Sequence, residues 1–352
     1  MTLNLSSRFT RRNMVIGSAA VFAVAPLSGL GIAVAQDATP IPYTPPDNIG
    51  VVSGEIEADG SSTVGPLTEA VIEEFAAVAP GIAVTNGVSG SGGGFNRFVN
   101  GEIAISNASR AIAEDEVALA AENAVNYYEF SVAYDGITVV VNAENDFVDS
   151  MTVEQLQQLW SADGGIVNWS DINPDWPEEP IELYGPGADS GTFDYFNEVI
   201  LGEDVAVRTD YIPSEDDNVL VQGVIGSANA LGYFGFAFYV ENQDSLRAVP
   251  IDSGSGPVEP TVETIADGSY APLSRPLFIY VNAEMLQGDP ALQEFVRYYL
   301  STSDELAPDV GYIALPGDIE LEQQTKLEGA ISGELAPDSE AGGATPEASP
   351  AA

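Results

Sequence analysis

Residue types that carry much of protein chemistry are missing from this chain of 352 residues. It contains no histidine and no cysteine, and its one lysine is Lys326. Without histidine there is no Ser-His-Asp or Cys-His catalytic machinery and no histidine ligand for a metal. Without cysteine there is no disulfide, no thiolate metal site and no lipid attached to a cysteine. We therefore expect no metal ion, no cofactor and no lipoprotein.

Positive charge is also scarce. The chain has 10 basic and 54 acidic residues, a formal net charge of −44. Residues 1–35 contain three of the arginines and no acid, so the rest of the chain carries 7 basic and 54 acidic residues, a net of −47. A surface this acidic repels nucleic acids and anionic membranes, so neither is expected as a partner. The hydrophobic content of 45% argues against a disordered chain.

The first 35 residues have the pattern of a targeting signal. Arg11 and Arg12 directly precede a weakly apolar run, Val15 to Ala35, which ends in Ala33-Val34-Ala35, a small-x-small cleavage pattern. This predicts a twin-arginine export signal over residues 1–35, and a protein that acts in the periplasm, at the cell surface or outside the cell. The alternative is a membrane anchor that stays attached, although Pro26 and the glycines make a poor span.

Two further segments have the composition of disordered chain. Residues 36–48 are rich in proline, threonine and aspartate, and residues 333–352 consist largely of alanine, proline, glutamate, serine and glycine. Such segments bury too little apolar surface to offset the loss of chain entropy. We therefore expect a disordered tether at 36–48 and a disordered acidic tail at 333–352.

Between these ends, strand-like and helix-like patterns alternate, which predicts an α/β fold with largely parallel sheets flanked by helices. Two β-branched or apolar runs, 137–141 and 277–281, read as buried strands that bracket a central block. A chain that leaves one lobe and returns to it would cross near these strands. We therefore expect two lobes, the first built from 49–137 and 275–332 and the second from 138–274.

Three predicted strand-to-helix turns are built alike. Each combines glycine with small hydroxyl residues: Gly60-Ser61-Ser62-Thr63, Ser89-Gly90-Ser91-Gly92 and Asp189-Ser190-Gly191-Thr192. A helix N-terminus offers unpaired N–H groups and partial positive charge, glycine admits an anion, and a hydroxyl adds a donor. Converging turns of this kind would surround a tetrahedral oxyanion. The alternative for any one turn is an ordinary N-cap, since serine, threonine and aspartate are the preferred caps.

Arg110 stands out because it lies just past the predicted strand 103–105, at the same sheet edge as the hydroxyl turns. A guanidinium there could neutralise an oxyanion through two parallel hydrogen bonds. The alternative is a salt bridge to one of the many acids. Neither GxGxxG nor GxxxxGK[ST] occurs, which argues against a nucleotide as the ligand.

Taken together, these motifs resemble the phosphate-binding proteins of high-affinity phosphate ABC importers. The matching segments are Gly60-Ser-Ser-Thr-Val, Ser89-Gly-Ser-Gly-Gly-Gly-Phe95, Asn107-Ala-Ser-Arg110, Tyr134-Asp-Gly-Ile137, the run from Gly185 to Phe196, the run from Ser214 to Leu220 and the run from Leu231 to Phe236. The resemblance covers roughly residues 50–330. It implies the two-lobed periplasmic-binding-protein type II fold, in which the lobes close over phosphate and present it to membrane permease subunits.

The resemblance also implies which residues bind phosphate: Ser62 and Thr63 from the first turn, Ser91 from the second, and Ser190, Gly191 and Thr192 from the opposite lobe. Many family members have an aspartate where this chain has Arg110, and an arginine where it has Pro186-Gly187. Arg110 would then supply the cation. Asp189 would accept the ligand's proton, which phosphate carries near neutral pH and sulfate does not.

The function expected from these observations is phosphate capture and delivery by a monomeric, non-enzymatic binding protein. A binding protein for another tetrahedral oxyanion and a surface phosphate sensor remain open as alternatives. An exported hydrolase that uses carboxylates on phosphoesters or glycans is a third reading, because paired carboxylates occur by chance among so many acids. No nucleophile elbow of the form G-x-S-x-G precedes a predicted helix to favour it.

Overall fold

The computed structural model describes residues 39–188, 190–202 and 205–340. The predicted signal at 1–35 and the final stretch of the predicted tail, 341–352, lie outside this part of the chain, as does Asp189. In the described residues, no helix is both long enough and apolar enough to cross a bilayer.

The protein alternates strands and helices, as the sequence predicts. The strands are β1 (Gly54–Gly60), β2 (Ile82–Asn86), β3 (Ile105–Ala108), β4 (Tyr127–Asn142), β5 (Met151–Thr152), β6 (Glu182–Pro186), β7 (Ile212–Ser214), β8 (Ala230–Gly235), β9 (Leu246–Ala248), β10 (Ile251–Asp252), β11 (Pro257–Val258) and β12 (Ser274–Asn282). The helices are α1 (Gly65–Val78), α2 (Ser91–Val99), α3 (Glu114–Glu122), α4 (Val153–Trp160), α5 (Trp169–Ile172), α6 (Gly191–Phe196), α7 (Asp217–Ile225), α8 (Phe236–Asn242), α9 (Val262–Ala266), α10 (Ala283–Gly288), α11 (Pro290–Asp309) and α12 (Gly317–Ser332).

One nine-stranded sheet runs through the molecule in the order β2-β1-β3-β12-β4-β8-β6-β7, with β9 paired to β4. The outer strands on both sides pair in parallel, as expected from βαβ units. The central strands β12 and β4 instead pair antiparallel with each other and with their neighbours. The sheet is therefore mixed, because the chain enters and leaves the central block along two long strands that run in opposite directions.

The long strand β4 belongs to both halves of the sheet. Its first part, up to Gly136, pairs with β12, and Ile137 to Val141 pairs with β8. Its residues contribute to separate apolar cores: Phe130 and Val132 pack with α1 and α11, whereas Ile137 and Val139 pack among residues of α4 and α6. Further clusters lie on the opposite faces, beneath α2 and α3 in one half and beneath α7 and α8 in the other. The fold is thus the two-lobed α/β architecture that the sequence predicts.

The described parts of the predicted tether and tail are packed against α11, α12 and the first part of β4, in the half of the sheet that we call the first half. This packing differs from the disorder expected from their composition. The side-chain amide of Gln324 pairs with both the N–H and the C=O of Ile41, and the Tyr43 hydroxyl donates to Glu294 at 2.9 Å. At the other end, Asp338 accepts from the N–H of Glu129 at 2.8 Å and pairs with Lys326. Composition could not reveal these partners, since they lie far away in sequence.

Candidate functional site

The first hydroxyl turn lies where β1 ends and α1 begins. Gly60 has a φ of +140°, and a Cβ there would lie 2.2 Å from the carbonyl oxygen of Asn107, so only glycine fits between the strands. Ser61 Oγ accepts from the N–H of Thr63 at 3.1 Å and so caps the turn. The Thr63 hydroxyl accepts from Arg275 Nη2 at 2.7 Å.

A buried carboxylate fixes the second turn against the first. Asp59 accepts from the N–H groups of Gly60 and Ser89 and from Arg97 Nη1, at 2.8, 3.1 and 2.7 Å. Burial would raise the pKa of Asp59, but the hydrogen bonds from Arg97 and Ser89 hold that pKa below its usual value. Asp59 therefore stays ionised and ties both turns to the end of β1.

The second turn begins at Gly90, whose φ is +80° and whose N–H donates to the Gly60 carbonyl at 2.9 Å. Ser91, the first residue of α2, has its hydroxyl 3.2 Å from the Ser109 hydroxyl and accepts from the Ser109 N–H. This contact links α2 to the segment that follows β3. Ser91 and Ser109 consequently lie side by side at the ends of parallel strands, where ligands bind in open α/β sheets.

The third turn comes from the other half of the sheet and meets the first turn directly. A Cβ on Gly191 would lie 2.8 Å from Thr63 Oγ1 and 3.3 Å from the Thr63 backbone, so glycine permits the close approach. The Ser190 hydroxyl caps α6 by accepting from the N–H of Thr192 at 3.2 Å. Turns from the two halves of the sheet therefore meet at Thr63 and Gly191.

These turns surround a cavity of about 240 Å³. Of the residues that the sequence analysis singles out, Ser62, Thr63, Ser91, Arg110 and Gly191 line it. Ser190 and Thr192 do not line it and serve instead in the cap of α6. The remaining lining residues are Ser61, Gly90, Gly92, Ser109, Asp194, Tyr195, Glu198 and Arg275.

Arg110 lines the cavity and also forms a salt bridge, the role that the sequence analysis gave as the alternative to ligand binding. Its two terminal nitrogens donate to the two carboxylate oxygens of Glu116 at 2.8 and 2.7 Å, and its guanidinium carbon lies 5.0 Å from the centre of the Phe95 ring. Glu116 also accepts from the N–H of Ala113 at the start of α3, which fixes its position. Arg110 thus faces the cavity with part of its charge already compensated.

Arg275 is the cavity residue that the sequence analysis misses. Besides its bond to Thr63, its Nε and Nη2 atoms donate to Asp135 Oδ2 at 3.2 and 3.1 Å. Its guanidinium carbon lies 3.6 Å from the centre of the Tyr195 ring, a cation–π contact. The side chains of Arg275 and Asp135 are 10% and 3% exposed, so this pair is largely shielded from water. The scarcity of basic residues was the signal that could have drawn attention to it.

Comparisons with known proteins place this geometry in a family. A model of the PBP superfamily domain matches residues 45–303. Protein SphX of Synechocystis is 48% identical over 75% of this chain and 79% of its own, and the phosphate-binding protein PstS of Staphylococcus saprophyticus is 42% identical over 80% of this chain and 87% of its own.

Among solved structures, a possible phosphate binding protein from Planctomyces limnophilus is 46% identical, superposes with a TM-score of 0.76, and is matched over 80% of this chain and 99% of its own.

The buried pair at the cavity generates a stability prediction. Replacing Asp135 by alanine leaves Arg275 buried without its carboxylate, so we expect the free energy of unfolding to fall by about 3 kcal/mol. The matched control is Asp210→Ala, which removes the 71% exposed partner of Arg208 and should change the free energy by less than about 1 kcal/mol. Urea denaturation in a chloride buffer measures both, and equal losses would contradict the role given to the Arg275–Asp135 pair.

The family model covers most of the chain, and the relatives match it at more than two fifths identity over most of their length. The chain belongs to the PBP superfamily and, within it, to the family of the phosphate-binding protein PstS.

Proposed function

We propose that this protein is an exported solute-binding protein that captures inorganic phosphate between its two lobes and delivers it to an ABC importer. The observation that carries the proposal is the cavity itself, in which hydroxyl turns from both halves of the sheet meet two arginines. Membership of the PstS family supports the same ligand. An anion in this cavity would contact both lobes at once, which is the condition for a ligand to favour the closed arrangement.

The donors around the cavity suit a tetrahedral oxyanion. The N-terminal ends of α1 and α2 bring partial positive charge to it, and Gly90 and Gly92 leave the backbone of the second turn accessible. The hydroxyls of Ser62, Thr63 and Ser91 add neutral donors. Arg275 and Arg110 add charge, with Arg275 the more buried of the two. We assign phosphate contacts to these residues and to Gly191.

Selection against sulfate requires a group that accepts a hydrogen bond from the protonated oxygen of phosphate, which sulfate lacks. Asp189, the residue expected for this task, lies outside the described part of the chain. Asp194 lines the cavity, where partial loss of solvation raises its pKa above the usual value, although the charge of Arg275 acts in the opposite direction. We therefore propose Asp194 as an acceptor for the phosphate proton.

Binding without turnover is part of the proposal. The cavity contains no histidine or cysteine to act as nucleophile or base, because the chain has none. We propose that the protein works as a monomer whose partners are permease subunits, and that residues 1–35 direct its export. A panel of chromogenic phosphoesters should consequently remain unhydrolysed.

Calorimetric titration tests the ligand assignment. We expect one phosphate per protein, a loss of affinity of about a hundredfold in Arg275→Ala, and a loss of about tenfold in Arg110→Ala, whose charge is shared with Glu116. The control Arg297→Ala removes an arginine of α11 that pairs with Glu294 and Glu328 outside the cavity, and it should bind normally. Tighter binding of sulfate or molybdate than of phosphate would overturn the assignment of the anion.

The contact between Thr63 and Gly191 generates a separate prediction about closure. Gly191→Ala adds a methyl group that would lie 2.8 Å from Thr63 Oγ1, so we expect the lobes to be held apart and phosphate affinity to fall by at least about tenfold. Gly288→Ala is the matched control, since a Cβ there meets no atom within 4 Å. Small-angle scattering should show a smaller radius of gyration on phosphate addition in the parent and in Gly288→Ala, but no such change in Gly191→Ala.

A further inference from the structure

Each arginine at the cavity faces two carboxylates. Arg275 is bonded to Asp135 and also lies within electrostatic range of Asp194. Arg110 is bonded to Glu116 and lies within electrostatic range of Glu198. With all six groups ionised, this set carries two positive and four negative charges. The site for an anion is therefore itself negatively charged.

Asp194 and Glu198 are the two carboxylates that remain available to a ligand. They are four residues apart, on α6 and the π-helical turn Asn197–Leu201 that follows it, and both line the cavity. Asp135 and Glu116, in contrast, already hold the arginines. Within the described residues, no side-chain hydrogen bond or ion pair occupies the carboxylate of Asp194 or Glu198. An ionised carboxylate only accepts hydrogen bonds, so a ligand oxygen that lies against either of the two must carry a proton to donate.

From this arrangement we infer that the cavity, if it is the phosphate site proposed above, selects the singly charged dihydrogen phosphate ion over the doubly charged ion. Dihydrogen phosphate has two P–O–H groups, which donate to Asp194 and Glu198. Its two unprotonated oxygens accept from Arg275, Arg110 and the hydroxyl and N–H donors of the turns. The doubly charged ion has one P–O–H group, so one carboxylate would face an unprotonated oxygen.

The surroundings of the cavity favour the same ion. A negative potential repels a doubly charged ion twice as strongly as a singly charged one, and the chain beyond residue 35 carries a net −47. Burial raises the pKa values of the nearby tyrosines, which therefore stay neutral and add no charge: Tyr195, Tyr280 and Tyr312. Burial also raises the pKa of Asp217, the further acid near Asp135, to about 6, so it is mostly ionised at neutral pH and adds negative charge.

The direct test is the pH dependence of phosphate affinity, measured by calorimetry on the full mature chain with inorganic phosphate. Above the second pKa of phosphate, the dihydrogen fraction falls tenfold per pH unit. The dissociation constant for total phosphate should therefore rise about tenfold from about pH 8 to about pH 9. Titrations in buffers of different ionisation enthalpy should also show uptake of about one proton per phosphate bound at about pH 8.5.

Two variants test whether the carboxylates cause this dependence. Asp194→Asn and Glu198→Gln replace an obligatory acceptor by an amide that can donate to an unprotonated oxygen. We expect the rise of the dissociation constant over that pH interval to shrink to less than about threefold in each variant. The control Glu154→Gln removes an exposed acid of α4 in the same half of the sheet, away from the cavity, and should keep the full tenfold rise.

The outcomes of these titrations distinguish failure of this inference from failure of the proposed function. A dissociation constant that stays flat with pH, together with no proton uptake by the parent protein, would mean that the doubly charged ion binds, and would overturn this inference while the proposed function stands. Variants that keep the parent's tenfold rise would show that Asp194 and Glu198 do not select the ion. Absence of phosphate binding at every pH would overturn both this inference and the proposed function.

Discussion

The guanidinium of Arg275 connects the parts of the chain on which the site depends. It extends from β12 and pairs with Asp135 on β4, so it sits on the two strands that run between the halves of the sheet. It also holds the Thr63 hydroxyl of the first turn and stacks on Tyr195 of α6. A buried charge of this kind is costly unless it is paired, and its neighbours here come from three separate elements: β4, the first turn and α6.

A strongly acidic protein that binds an anion appears contradictory only if binding is attributed to net charge. Backbone N–H groups, hydroxyls and two arginines act at distances of a few ångströms, where dehydrated contacts are strong. The many exposed acids act at long range, where salt screens them. On our account the sign of the protein's net charge therefore determines how an anion approaches, whereas the turns and arginines determine how it is held. On our account the acids at the cavity add a third effect, the choice of the ion's protonation state.

Much of this site could be predicted from sequence because turn chemistry is local. Glycine with hydroxyl residues at the start of α1 and α2 was enough to find Ser62, Thr63 and Ser91, and the same pattern led to Gly191. Arg275 and Tyr195 could not be found in this way, since their roles arise from the pairing of β12 with β4 and from the approach of α6. The packing of Tyr43 and Asp338 against the first half was missed for the same reason, because their partners are more than 200 residues away in the chain.

The central claim is that phosphate binds in the cavity between the first and third turns. A crystal structure of the protein grown with saturating phosphate tests it most directly. Our account predicts tetrahedral density within about 3 Å of donors from Thr63, Ser91 and Arg275, with Asp194 and Glu198 facing the ion. Well-ordered density that shows only water in this cavity, with phosphate bound elsewhere on the protein, would contradict it.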